Sequence, residues 1–76
     1  MMLKVYSIEE CTWCAKVKRY LQQKGVEYLE INVEENEQAF KEMLRISGQQ
    51  TVPVLEKDGQ VVVGFDKKQI DELLQA

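Results

Sequence analysis

Met2-Leu3-Lys4-Val5-Tyr6-Ser7-Ile8-Glu9-Glu10-Cys11-Thr12-Trp13-Cys14 is the stretch that decides the fold. From Met2 to Ile8 the residues alternate at period two, with Leu3, Val5 and Ser7 on one face, which predicts a strand. Glu9 and Glu10 end it. From Thr12 to Lys24 the apolar positions fall at Cys14, Val17, Tyr20 and Leu21, which is helical spacing. Lys16, Lys18 and Arg19 cover the remaining surface of that helix, and Gly25 is a natural C-terminal stop. Two cysteines three residues apart thus sit where a strand hands over to a helix.

The pattern continues outward from there. Val26 to Val33 reads as a second strand, on Val26, Tyr28, Leu29, Ile31 and Val33. Glu34 to Ile46 reads as a second helix, with Glu34, Glu35 and Glu37 at its start, where the helix dipole favours acids. Ala39, Phe40, Met43 and Leu44 form its apolar stripe, and Ser47-Gly48 closes it. Thr51 to Leu55, running through Pro53, is a third strand, and Gln60 to Phe65 a fourth. Asp58-Gly59 between them is a strong hairpin signal. Asp66 is placed to cap a last helix with Ile70, Leu73 and Leu74 on its apolar face, and Gln69 makes a weak capping box. The order is strand, helix, strand, helix, strand, strand, helix. A first parallel βαβ unit with a right-handed crossover and an antiparallel hairpin edge give a mixed four-stranded sheet with helices on its faces.

Length and composition bound the function. A chain of 76 residues holds one domain, taken as 1–76, and its 45% hydrophobic residues are enough for a core. Apolar runs such as Val61 to Val63 reach only three residues, which argues against a membrane span or a secretory signal. Met1 and Met2 lead straight into the first strand, leaving no room for a removed targeting segment. Ten Lys and Arg against thirteen Asp and Glu give a net charge of −3, the wrong sign for nucleic-acid binding. No His is present, which removes His-dependent nucleophilic catalysis and imidazole metal sites.

The cysteines carry the chemistry. A disulfide across three residues closes almost no loop, so it stabilises a fold weakly. Disulfide exchange needs a thiolate, and a free thiol of pKa ~8.5 is mostly protonated at neutral pH. Cys11, at the helix N-terminus, faces unpaired backbone N–H groups and the positive end of the dipole, which favour the anion. Cys14 lies about one turn inside, within bonding reach, more buried and less acidic. Cys11 is therefore the expected nucleophile and Cys14 the resolving thiol. Two other readings stand beside this one. The pair is half of a zinc or iron–sulfur site that two chains could complete, or simply two small buried residues.

With Cys11-Thr12-Trp13-Cys14 after the first strand, Thr51-Val52-Pro53 in the third and Gly64-Phe65-Asp66 ending the fourth, the whole chain resembles the glutaredoxin family. It is most similar to the small glutaredoxin-like redoxins that include hydrogen donors of ribonucleotide reductase. The resemblance implies a thioredoxin-like α/β fold, βαβαββα, and a dithiol–disulfide oxidoreductase acting on protein disulfides in a reducing cytoplasm. It implies Cys11 and Cys14 as catalytic residues, and Thr12, Trp13, Thr51, Val52, Pro53, Gly64, Phe65 and Asp66 as substrate contacts. It also implies a cis Val52–Pro53 bond, with Val52 backbone groups that face the sulfurs and pair with an extended substrate. The expected protein is a monomer with no metal, no tightly bound cofactor, and no nucleic-acid or membrane partner. Trp13 is read as a surface aromatic beside Cys11, or else as packing on the domain. Tyr6 either flanks the site or belongs to the core, and Lys16, Lys18 and Arg19 either raise the local positive potential or, the favoured reading, are simply a solvated helix face.

The electron donor is where the sequence departs from that family. Members that hold glutathione carry a Lys three residues before the first Cys and a Gly-Gly-x-Asp-Asp stretch after the fourth strand. Here those positions are Ile8, followed by Glu9 and Glu10, and Val63-Gly64-Phe65-Asp66-Lys67. The changes remove one attraction for a glutathione carboxylate and one partner for its ammonium. At ~0.2–1 kcal/mol per exposed charge contact, they weaken binding without abolishing it. Thioredoxin reductase is the expected donor, with glutathione the alternative.

Overall fold

The computed structural model describes residues 2–75. The elements are β1 (Leu3–Ser7), α1 (Thr12–Gln23), β2 (Tyr28–Asn32), α2 (Glu37–Ser47), β3 (Val54–Lys57), β4 (Gln60–Val63) and α3 (Lys67–Gln75). The sheet order is β2-β1-β3-β4. β1 and β2 pair in parallel, Leu3 with Tyr28 through Ser7 with Asn32. β1 pairs antiparallel with β3, and β3 with β4. This is the mixed four-stranded, thioredoxin-like arrangement expected from the sequence.

Period-two alternation divides the strands between two apolar layers. Leu3 and Val5 of β1, Leu55 of β3 and Val62 of β4 pack with Val17 and Leu21 of α1 and Ile70 and Leu73 of α3. On the other face Tyr6 of β1 and Val54 of β3 pack with Val33 and Met43, and Phe40, Val61 and Val63 lean against them. One face of the sheet therefore carries α1 and α3, and the other α2. Tyr6 is 2% exposed and belongs to the α2-side core.

Several element boundaries differ from the sequence reading. Strand β2 runs Tyr28–Asn32, not Val26–Val33, because its pairing with β1 begins at Leu3–Tyr28 and ends at Ser7–Asn32. Helix α2 starts at Glu37, not Glu34. Asn32 holds residues 33–35 in a turn, accepting from Glu34 N through its side chain at 2.8 Å and from Glu35 N through its carbonyl at 3.3 Å. Asn36 then caps the helix by accepting from Ala39 N at 3.0 Å. β3 runs Val54–Lys57, not Thr51–Leu55, because its pairing with β1 begins at Tyr6–Val54 and continues to Lys4–Glu56. β4 ends at Val63, which leaves Gly64 and Phe65 in the segment leading to α3. The hairpin lies where Asp58-Gly59 placed it. Both residues have positive φ, 52° and 85°, as a type I′ turn requires.

Candidate active site

The geometry around the cysteines follows from one backbone choice. Cys11 is extended, at φ −149° and ψ 109°, and stands as the N-cap of α1. Its Sγ accepts a hydrogen bond from the Cys14 backbone N–H at 3.1 Å, and its carbonyl accepts from Ala15 N at 3.1 Å. A sulfur thus takes the place that a Ser, Thr or Asp oxygen holds at most N-caps. The same bond is a donor aimed at any negative charge on Cys11. Cys14 is fully buried, whereas Cys11 is half-buried. The two Cα atoms lie 5.2 Å apart, a separation that accommodates a disulfide, and the sulfurs are at bonding distance.

Beside the pair runs an open groove of about 330 Å³, lined by Trp13, Thr51, Val52, Pro53, Gly64 and Phe65. Three separate chain segments supply it. Trp13 comes from the first turn of α1, and residues 51–53 from the approach to β3. Gly64 and Phe65 follow β4. The Val52–Pro53 bond is cis, as expected. Gly64 N donates to the Pro53 carbonyl at 2.8 Å, which ties the second segment to the third. Trp13 is 54% exposed, so it presents a face to solvent rather than to the core. Its ring lies 6.3 Å from that of Phe65, and Phe65 meets Tyr20 edge-on at 5.9 Å.

Six of the eight residues expected to contact substrate therefore share one groove. Thr12 and Asp66 do not line it. Thr12 is exposed in the first turn of α1. Asp66 caps α3, its Oδ1 accepting from Gln69 N at 3.1 Å and its carbonyl from Ile70 N at 2.8 Å. Ile8 leans on the α2-side core, and Glu9 and Glu10 are exposed ahead of Cys11.

The structure also holds two polar networks that the sequence reading missed. Fully buried Ser7 donates to Glu30 at 3.1 Å, and Lys18 reaches the same carboxylate at 2.7 Å. The Lys18 ammonium, with help from Ser7, holds the Glu30 carboxyl below the usual carboxylate range. Tyr20 donates to Asp71 at 2.6 Å, and Lys24 pairs with the same group at 3.3 Å. The hydrogen bond from Tyr20, followed by Lys24, lowers Asp71, while Asp71 raises Tyr20. In both networks the acid comes from far along the chain, Glu30 lying 12 residues from Lys18 and Asp71 51 residues from Tyr20, and helical spacing carries no signal for those contacts. Among the described residues no group of three or more His, Cys, Asp or Glu is placed to hold a metal ion. No helix among them is long and apolar enough to cross a membrane.

The comparisons with known proteins agree with this geometry. The glutaredoxin family model matches residues 3–62. An uncharacterised glutaredoxin-like 8.6 kDa protein of the Clostridium pasteurianum rubredoxin operon is 40% identical over 74 residues, covering 97% of this chain and 99% of its own. The glutaredoxin of Archaeoglobus fulgidus superposes with a TM-score of 0.89 at 25% identity, over 97% of this chain and 86% of that one. The glutaredoxin-like NrdH-redoxin of Escherichia coli superposes at 0.84 with 29% identity, over 96% and 95%. With its Cys-x-x-Cys pair at disulfide distance on a thioredoxin-like sheet, the chain belongs to the glutaredoxin family of thiol–disulfide oxidoreductases.

Proposed function

We propose that this protein reduces disulfides in other proteins, with Cys11 as the attacking and Cys14 as the resolving thiol. The observation that carries this is the Cys14 N–H donated to Cys11 Sγ at 3.1 Å, with Cys14 itself fully buried. The Cys11 thiolate attacks one substrate sulfur, forms a mixed disulfide and expels the other sulfur as a thiolate. The Cys14 thiolate then attacks Cys11 Sγ and releases the second substrate thiol, leaving the Cys11–Cys14 disulfide. Two electrons pass to the substrate, and its two sulfurs take up two protons.

The groove of Trp13, Thr51, Val52, Pro53, Gly64 and Phe65 gives an extended segment a place to lie during the attack. Thr12 and Asp66 act at its margin, Asp66 by fixing the start of α3. In this reading residues 1–76 work as one domain and as a monomer in the cytoplasm, with no bound metal.

Thioredoxin reductase, using NADPH, returns the two electrons in preference to glutathione. Support comes from Ile8, which is engaged with apolar neighbours where a cation would serve glutathione, and from exposed Glu9 and Glu10. It comes also from NrdH-redoxin, described as glutaredoxin-like with a thioredoxin-like activity profile. The test is NADPH turnover on insulin disulfides, with either thioredoxin reductase or glutathione and its reductase. Faster turnover with thioredoxin reductase is expected. Fast turnover with glutathione and none with thioredoxin reductase overturns the donor but not the disulfide chemistry.

A further inference from the structure

We propose that a basic groove between α1 and α3 makes this protein prefer disulfides flanked by acidic residues, a substrate class that rests on the disulfide-reducing role above. The groove, about 280 Å³, is lined by Lys16, Arg19, Tyr20, Gln23, Phe65 and Lys67. It holds three cations and no carboxylate, on a chain whose net charge is −3. Lys16 and Arg19 lie three apart on the exposed side of α1, so they face the same way. Lys67 is brought alongside by the first turn of α3, its Nζ 5.7 Å from the Tyr20 ring centroid.

The groove adjoins the one beside the cysteines. Phe65 lines both. Lys16 sits 4.3 Å from the ring centroid of Trp13, which lines the first. A chain laid along Trp13 and Pro53 therefore meets positive charge as it passes Phe65. None of Lys16, Arg19 and Lys67 forms an ion pair among the described residues; Asp71, which Lys67 also attracts through space, is hydrogen-bonded to Tyr20 and paired with Lys24. The occupant is a protein segment, because the two grooves lie on either side of Phe65 and an extended chain can touch both. Its complement is an Asp- or Glu-bearing flank a few residues from the reacting sulfur.

The test uses fully reduced protein in single turnover, so no electron donor enters. Three peptides share one internal disulfide and differ only in a Glu-Glu, Gln-Gln or Lys-Lys flank. The expected order of rate over concentration is Glu, then Gln, then Lys. Lys16→Gln, Arg19→Gln and Lys67→Gln should each cut the Glu preference by about 1.5- to 5-fold, and the triple variant by on the order of tenfold. Lys41→Gln, on α2, should keep it. In the native chain the preference should fade as salt rises from about 0.02 to about 0.5 M, a reading that needs no variant. Equal rates for the Glu and Gln peptides, or a Glu preference intact in the triple variant, overturn the proposal. Competition by S-methylglutathione that disappears in the triple variant assigns the groove to glutathione instead. No reduction of any peptide rejects the disulfide-reducing role itself.

Discussion

Replacing Cys14 by Ser should turn a fleeting intermediate into a product that can be isolated. In the native chain a mixed disulfide on Cys11 meets a second thiol whose Cα is 5.2 Å away. Resolution is then intramolecular, and well-oriented intramolecular reactions reach effective concentrations of ~10⁵–10⁸ M. Cys14 is fully buried, which restricts the approach of its sulfur, so we take a value a thousandfold below the lower limit, ~100 M. Against an external thiol at about 1 mM, that still makes native resolution ~10⁵-fold faster than rescue of the variant. The assay mixes reduced protein with excess peptide disulfide, quenches with acid at intervals and weighs the intact chain by mass spectrometry. Cys14→Ser should accumulate one peptide adduct per chain. The native protein should instead pass to the internal disulfide with no lasting adduct. Cys11→Ser should form none, since Cys14 is fully buried, and should still fold, since Ser is a favoured N-cap. Adduct on Cys11→Ser, formed as fast as on Cys14→Ser, would refute the assignment of the attacking sulfur.

Other residues give further tests. Asn36→Ala removes the α2 cap and should cost ~1 kcal/mol, lowering Tm by roughly 4–8 °C; an unchanged melting curve contradicts the capping bond to Ala39. Leu21→Ala, fully buried in the α1/α3 layer, should cost ~2–5 kcal/mol. At ~0.05–0.15 kcal/mol per residue the 76-residue fold has only ~4–11 kcal/mol, so a loss under ~1 kcal/mol in urea unfolding counts against that packing. Glu30 has a carboxyl depressed in the folded state by Lys18, so its contribution is present above the ordinary carboxylate range and lost as pH falls through the folded value. Glu30→Gln should therefore lose less stability than the native chain on acidification below about pH 4.5, though modestly, because the pair is partly exposed. Parallel curves for the two proteins would remove the pair from the acid response. Protein purified without oxygen should be colourless, with substoichiometric zinc and iron by elemental analysis; stoichiometric metal would instead favour a site shared by two chains.

Much of the fold could be read because its signals are local. Leu3 and Val5 alternate, Cys14, Val17 and Leu21 recur at helical spacing, and Asp58-Gly59 marks its turn without help from distant residues. The misplaced boundaries share a cause. Glu34 and Glu35 suit a helix start, but Asn32 and Asn36 hold the backbone there by specific hydrogen bonds. Thr51 and Val52 suit a strand, yet a strand exists only where a partner runs beside it, and β1 pairs from Val54 onward. Most of the groove beside the cysteines was legible because family motifs mark Trp13, residues 51–53, Gly64 and Phe65. The basic groove was not, because Lys67 reaches Lys16 and Arg19 only through packing of α3 against α1. From the sequence, Lys16 and Arg19 look like any solvated helix face. Tyr20, half-buried in a stripe of core residues, gave no hint of its bond to Asp71, fifty-one residues away.

The sulfur that caps α1 belongs to two thermodynamic ledgers at once. A thiolate on Cys11 is a strong acceptor for the Cys14 N–H, and a sulfur committed to a covalent bond is a weaker one. Whatever the cap contributes to folding in the dithiol form and withholds in the disulfide form must reappear in the reduction potential, because unfolding and reduction close a cycle. For a two-electron couple, each 1.4 kcal/mol of that difference corresponds to about 30 mV. Unfolding the two redox forms side by side in urea thus measures how oxidising the protein is. Any substitution that retunes the first turn of α1, even one that touches neither cysteine, resets the voltage at which the protein works.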